Sequence, residues 1–145
     1  MNMLPVCRLK VWSKPLLAVA AVYFLSSLGH FVHNAEFICE YPNLPAWLTR
    51  AKVYAAWIAI TSVGALGFFL IFRGFVAAGL LLVAGYAALG FDGLGRYAVA
   101  PMALHSLTAN LTILTEVVAA AALLLFTLHL LAVQFRPSGG SPRRS

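Results

Sequence analysis

Charge is scarce in this chain. Of its 145 residues only 10% are charged and 62% are hydrophobic, whereas a soluble domain carries about 25% charged residues. Such a composition cannot furnish a water-facing surface, but it can furnish a lipid-facing one. Acidic residues are scarcer still. Glu36, Glu40, Asp92 and Glu116 are the only carboxylate side chains, so any carboxylate chemistry rests on them. Cysteine is limited to Cys7 and Cys39, with no CxxC pair. The topology argued below puts these two on opposite sides of the bilayer, which excludes an intrachain disulfide. GxGxxG, Walker, HExxH and nucleophile-elbow patterns are all missing, so the common signatures of dinucleotide, nucleoside triphosphate, zinc-protease and serine-hydrolase sites are absent. The glycines of GLGRY (93–97) follow a helix and not a strand, and read as a turn.

The net charge of +6 does not indicate nucleic acid. The basic residues gather at the two ends and at one tight turn, and no basic groove is formed between them. That is the pattern of membrane orientation.

What the chain does have is four long apolar runs, and roughly 20 residues are needed for each crossing of the hydrocarbon. The first extends from about Pro15 to Glu36. It follows Arg8, Lys10 and Lys14 as a signal peptide would, but it leads into Gly29, His30 and His33 without a small-x-small cleavage site, so an uncleaved helix is expected. Pro42 and Pro45 stop it, and Tyr41 and Trp47 suit the membrane interface. The second run extends from about Arg50 to Arg73. Arg73-Gly74 is the only break before the third, Phe75 to Phe91, so these two form an antiparallel hairpin. Both carry small residues (Ala55, Ala59, Gly64, Gly67; Gly79, Ala84, Gly85, Ala88, Gly90) that permit close helix contact. The last run, Met102 to Phe135, exceeds one crossing, and is tilted, broken near Asn110 or projecting. Residues 137–145 are rich in Pro, Gly, Ser and Arg and predict a disordered basic tail. The expected architecture is all-α: a single four-helix transmembrane domain over 1–136.

Lys and Arg set the orientation. Arg8, Lys10, Lys14, Arg73, Arg136, Arg143 and Arg144 share one side, against Arg50, Lys52 and Arg96 on the other. The positive-inside rule therefore predicts both termini in the cytoplasm, in a multi-pass protein of the cell (inner) membrane.

The few titratable residues cluster in the pattern. His30, His33 and Asn34 stand at i, i+3 and i+4 and share a helix face. His33, Glu36 and Glu40 continue a neighbouring stripe if the helix persists. His105, Thr112 and Glu116 are spaced i, i+7 and i+11. At about 1.5 Å per residue, Glu116 lies about 28 Å above the inner end of its helix, and His33 and Glu36 lie at a similar height above Lys14. Ionisable side chains there are costly unless paired, hydrated or bound to something.

Three readings follow. One is a structural hydrogen-bonded network, worth only about 0.6–2 kcal/mol per contact. A second is a transition-metal site (Zn, Fe or Mn) with ligands His30, His33, Glu36, His105 and Glu116, as imidazole and carboxylate together allow. The third is haem b between His30 or His33 and His105. Proton or ion movement would need an oligomer. His129 stands alone at the inner end as an interfacial residue. Asp92 and Arg96, four apart, are expected to pair, or else to gate the site. Phe68, Phe69, Phe72 and Phe75 are expected to face lipid.

HNAEF followed by YPNLPAW resembles the first-helix signature of small bacterial membrane proteins named for an HXXEE motif. His33 and Glu36 match the His and the first Glu, and Phe37 stands where the second Glu would be. The resemblance covers residues 33–47. It implies a multi-helix membrane fold and a role for His33 and Glu36, with no established activity.

The functional expectation is a metal-dependent membrane protein acting on a small apolar molecule. The alternative is a non-catalytic subunit of a larger membrane complex. Expected partners are the lipid bilayer, a small apolar ligand and a homo-oligomer or larger complex, with no nucleic acid.

Overall fold

The computed structural model describes residues 5–135, with side chains from Lys14 onward. The tail at 137–145 and the side chain of Cys7 lie outside the described residues. Among the described residues there are five α-helices: α1 (Pro5–Glu36), α2 (Arg50–Phe72), α3 (Val76–Leu89), α4 (Gly95–Val99) and α5 (Leu107–Gln134). Short 3-10 turns occupy Ile38–Glu40, Asp92–Leu94 and Met102–Leu104. No strand occurs among the described residues. Four stretches are long and apolar enough to cross a membrane, namely Lys14–Glu36, Arg50–Phe72, Val76–Val99 and Leu107–Gln134. The all-α bundle of four spans expected from the sequence is thus the fold, the architecture of a multi-pass membrane protein.

Helix α1 packs against α2 and α5, and α3 packs against the same two. Chain neighbours run antiparallel, so the spans close into an up-down-up-down square. The α1 seam is Leu16, Ala20, Tyr23, Ser27, His30 and Asn34, all buried. The α5 seam is Ala109, Ile113, Glu116, Ala120, Leu123, Thr127 and Leu130, also buried. Both recur every three or four residues, the spacing of a bundle interface. Because the two helices are antiparallel, Glu116 of α5 comes level with Ser27 and His30 of α1.

Lipid is as apolar as leucine, so close packing, and not water exclusion, draws these helices together. The α2–α3 hairpin does this with glycine. A Cβ on Gly79 would come within 2.5 Å of the Gly67 carbonyl oxygen, and one on Gly64 within 2.5 Å of the Tyr86 ring. Helix α2 ends in a Schellman motif: Phe75 N–H donates to Leu70 O at 2.9 Å and Gly74 N–H to Ile71 O at 3.0 Å. Gly74 takes φ +90°, which glycine adopts without steric cost. At the far end of α3 the Tyr23 hydroxyl donates to Tyr86 O at 3.1 Å, satisfying a last-turn carbonyl that has no helical N–H.

Four local expectations need correction. Helix α1 starts well before Pro15, which lies inside it. It ends at Glu36, so the stripe through Glu40 does not form; Glu40 belongs to a separate 3-10 turn. The last run is interrupted at His105–Ser106 and not at Asn110, and Ser106 caps α5 by accepting from Ala109 N at 3.2 Å. Phe69, Phe72 and Phe75 are exposed to the surroundings, but Phe68 is half-buried against the core.

Candidate functional site

His30 and Asn34 project from the α1 seam one turn apart, and Glu116 projects from α5 at the same level. All three are buried, with 2%, 4% and 2% of their surface exposed. Their hydrogen bonds form a directed chain. Thr112 donates its hydroxyl hydrogen to Ala109 O at 2.9 Å, so it receives from His30 Nδ1 at 3.4 Å. His30 Nε2 then accepts from Asn34 Nδ2 at 2.8 Å. Glu116 Oε2 lies 3.6 Å from that same Nε2. A carboxylate oxygen and an imidazole nitrogen without hydrogen repel each other, whereas a proton between them joins them. The buried Ser27 hydroxyl adjoins the Glu116 carboxyl.

A cavity of about 140 Å³ opens onto His30 and Asn34 from the side of α2. Phe31, Leu48, Val53 and Ala56 form its apolar wall; Lys52, Asp92 and Arg96 supply charge. Gly93 covers the His30–Glu116 pair: a Cβ there would lie 3.6 Å from both His30 Nε2 and Glu116 Oε2. Asn34 Oδ1 is buried and has no hydrogen-bond partner. Asp92 and Arg96 do not form the ion pair expected of their spacing. The ion pairs among the described residues are His30–Glu116 and Arg50–Glu36. Arg96 instead lies over the Tyr41 ring, 5.4 Å from its centroid.

Tyr41 is the centre of a second cluster. It is buried, and its hydroxyl lies 2.8 Å from His33 Nδ1. Its ring is edge-on to His33 at 5.8 Å and to His105 at 6.0 Å. Burial pushes the Tyr41 hydroxyl up to about 12, opposed in part by the Arg96 charge. It therefore remains a phenol near neutral pH. His105 donates from Nδ1 to Pro101 O at 3.2 Å and meets the edge of Tyr97 at 5.5 Å. Tyr97 in turn donates to Asn110 Oδ1 at 2.9 Å.

The five residues singled out in the sequence are therefore divided. His30 and Glu116 meet. His33 and His105 flank Tyr41. Glu36 turns outward, 3.1 Å from Arg50 and accepting from Tyr54 at 2.8 Å. His105 precedes α5 and is not on its face, so the i, i+7, i+11 spacing holds only for Thr112 and Glu116. Among the described residues no three His, Cys, Asp or Glu side chains are grouped to hold a metal ion. Tyr41, Lys52 and Gly93 were not expected in the site, and Arg96 was expected there only as a gate with Asp92. Tyr41, expected at the membrane interface, is buried instead, and no sequence signal marks it as turned back toward the bundle.

Compared with protein family models, with curated proteins and with solved structures, the chain matches none.

Proposed function

We propose that the chain binds a small molecule in the cavity beside α2 and exchanges a proton with it through the His30–Glu116 pair. The observation that supports this most is the pair itself. Two ionisable groups are buried at a depth where isolated charge is costly, and a cavity lined by both apolar and charged residues reaches one of them. The positive-inside count assigns this end of the bundle to the outer face.

A metal-dependent enzyme fits the same residues less well. Zn, Fe or Mn would find two protein donors, His30 Nε2 and Glu116 Oε2, where catalytic zinc takes three; His33, Glu36 and His105 are engaged elsewhere. Haem b needs two imidazoles facing across a porphyrin, and the ring of Tyr41 fills the space between His33 and His105. A proton path through one copy is also disfavoured. Beyond Tyr23 and Tyr86 the core toward Gly74 is Leu16, Leu80, Val83, Leu123 and Leu130, and the Thr127 hydroxyl is tied to Leu123 O at 2.7 Å. The second reading is a non-catalytic subunit, favoured by the exposed small residues Ala55 and Ala59 on α2, where a foreign helix could approach.

The test is infrared difference spectroscopy between acid and alkaline pH on protein in nanodiscs. A protonated-carboxyl band should be present, be lost in Glu116→Gln and shift in His30→Ala. A band indifferent to His30 removes the proposed exchange. Chelator treatment should leave that band and the helix content unchanged; loss of both together with stoichiometric metal would restore the metal site.

A further inference from the structure

The reading above leaves the ligand's chemistry open, and the charged groups around the cavity narrow it. Arg96 is half-buried and makes no ion pair or side-chain hydrogen bond among the described residues; only the face of Tyr41 supports it, at 5.4 Å. A guanidinium carries five donors. Lys52 adds a second cation, held at the rim by donating to Trp47 O at 2.9 Å. These two seek an anion. Asn34 Oδ1, on a side chain 4% exposed and without a partner, seeks the opposite, an N–H or O–H donor. So does Asp92, which lines the same cavity and has no ion pair among the described residues.

The size is equally restrictive. A cavity of about 140 Å³ is well below the 300–1,000 Å³ (roughly) of pockets that enclose drug-sized ligands. Its surroundings set the depth. Trp47 is 64% exposed beside the cavity, and aromatic residues of this kind mark the head-group level of a bilayer. Lys52 is in the first turn of α2, close to where its apolar span begins.

We infer that the cavity takes a small zwitterionic head group, with its phosphate on Arg96 and Lys52 and its ammonium on Asn34 Oδ1 and Asp92. Phosphoethanolamine carries that chemistry, either free or as the head of phosphatidylethanolamine. This rests on the reading that the cavity binds a small molecule, but not on proton exchange.

Calorimetric titration of the full chain in phosphatidylglycerol nanodiscs, with phosphoethanolamine, inorganic phosphate and ethanolamine in turn, tests it. Phosphoethanolamine should bind at least ~10-fold more tightly than either fragment. Arg96→Gln and Lys52→Gln should each weaken it by ~10-fold or more. Lys52 is exposed, so its variant tests the site without touching the core. Asn34→Leu should weaken ethanolamine and phosphoethanolamine but not phosphate. Addition of phosphatidylethanolamine to the discs separates the sources: displacement of the free ligand identifies the lipid head, and undiminished binding identifies the soluble molecule. Binding no tighter than that of either fragment, or unchanged in Arg96→Gln and Lys52→Gln, overturns the inference. Head-group binding is read from heat and proton exchange from the carboxyl infrared band of the wild type, so failure of one is read separately from failure of the other.

Discussion

At the scale of the residue, the site depends on what a hydrogen bond leaves unsatisfied. His30 has both ring nitrogens occupied, by Thr112 and Asn34, and Glu116 arrives at 3.6 Å as a third claimant. Removing Glu116 altogether leaves a void beside His30 and Ser27, whereas Glu116→Gln keeps the volume and a polar end. Glu116→Ala should therefore destabilise the bundle by about 2–3 kcal/mol and Glu116→Gln by much less, measured by denaturation in mixed detergent. Equal losses would mean that volume counts for nothing and that the carboxyl itself holds the bundle together. Tyr41 gives a pH test. Its hydroxyl is raised from 10.0 to about 12 chiefly by burial, so the folded state holds its proton where the unfolded state has lost it. The contribution is complete below the unfolded value and disappears as pH climbs through the folded one. Between about 10 and about 12 the wild type should lose stability faster than Tyr41→Phe. Parallel pH curves for the two proteins would contradict this.

At the scale of the element, two glycines on one helix make opposite predictions. Gly79 of α3 faces Gly67 and Ile71 of α2, and an added Cβ would meet backbone at 2.5 Å. Backbone cannot swing aside as a side-chain tip can, so Gly79→Ala should separate the hairpin and cost about 1–3 kcal/mol. Gly85, six residues on, has nothing within 4 Å. Gly85→Ala should be neutral or gain up to about 1 kcal/mol from helix propensity. Thermal stability in one detergent compares them directly, and a Gly79→Ala protein as stable as Gly85→Ala would show that the tight crossing does not hold. Both glycines are visible in the sequence as small residues suited to helix contact. Which of them touches a neighbour depends on the rotation of α3 against α2, and an apolar helix in lipid has no polar face from which to read that rotation.

At the scale of the whole molecule, four spans put the loop between α1 and α2 on the side opposite the Arg73–Gly74 turn. Cys39 is free and exposed, which makes the test direct. In a Cys7→Ser background, membrane-impermeant maleimide added to intact cells should label Cys39. In a Cys7→Ser, Cys39→Ser background, Gly74→Cys should be labelled only after the membrane is opened. The reverse pattern would invert the orientation predicted from Lys and Arg, and labelling of both from one side would remove a span.

Much of the fold is legible in the residues alone. Apolar runs of spanning length, proline at the breaks and the Arg73-Gly74 turn determine four spans, because a backbone in hydrocarbon must satisfy its own hydrogen bonds and does so as helix. The same local rules place His33 and Glu36 at the height of Glu116, since rise per residue needs no knowledge of neighbours, but it is His30, one turn lower, that meets Glu116. They also make His105 and Glu36 look like members of the same site, the one by its spacing from Glu116 and the other by its height, because spacing and height are all that they measure. Only the tertiary structure decided azimuth and partner: that Glu36 turns out to Arg50, that Tyr41 folds back between His33 and His105, and that Arg96 leaves Asp92 for an aromatic face. Those choices belong to side chains brought together from distant parts of the chain. Their energies depend on which groups are nearby to pair with, and a sequence does not contain that information until its helices have packed.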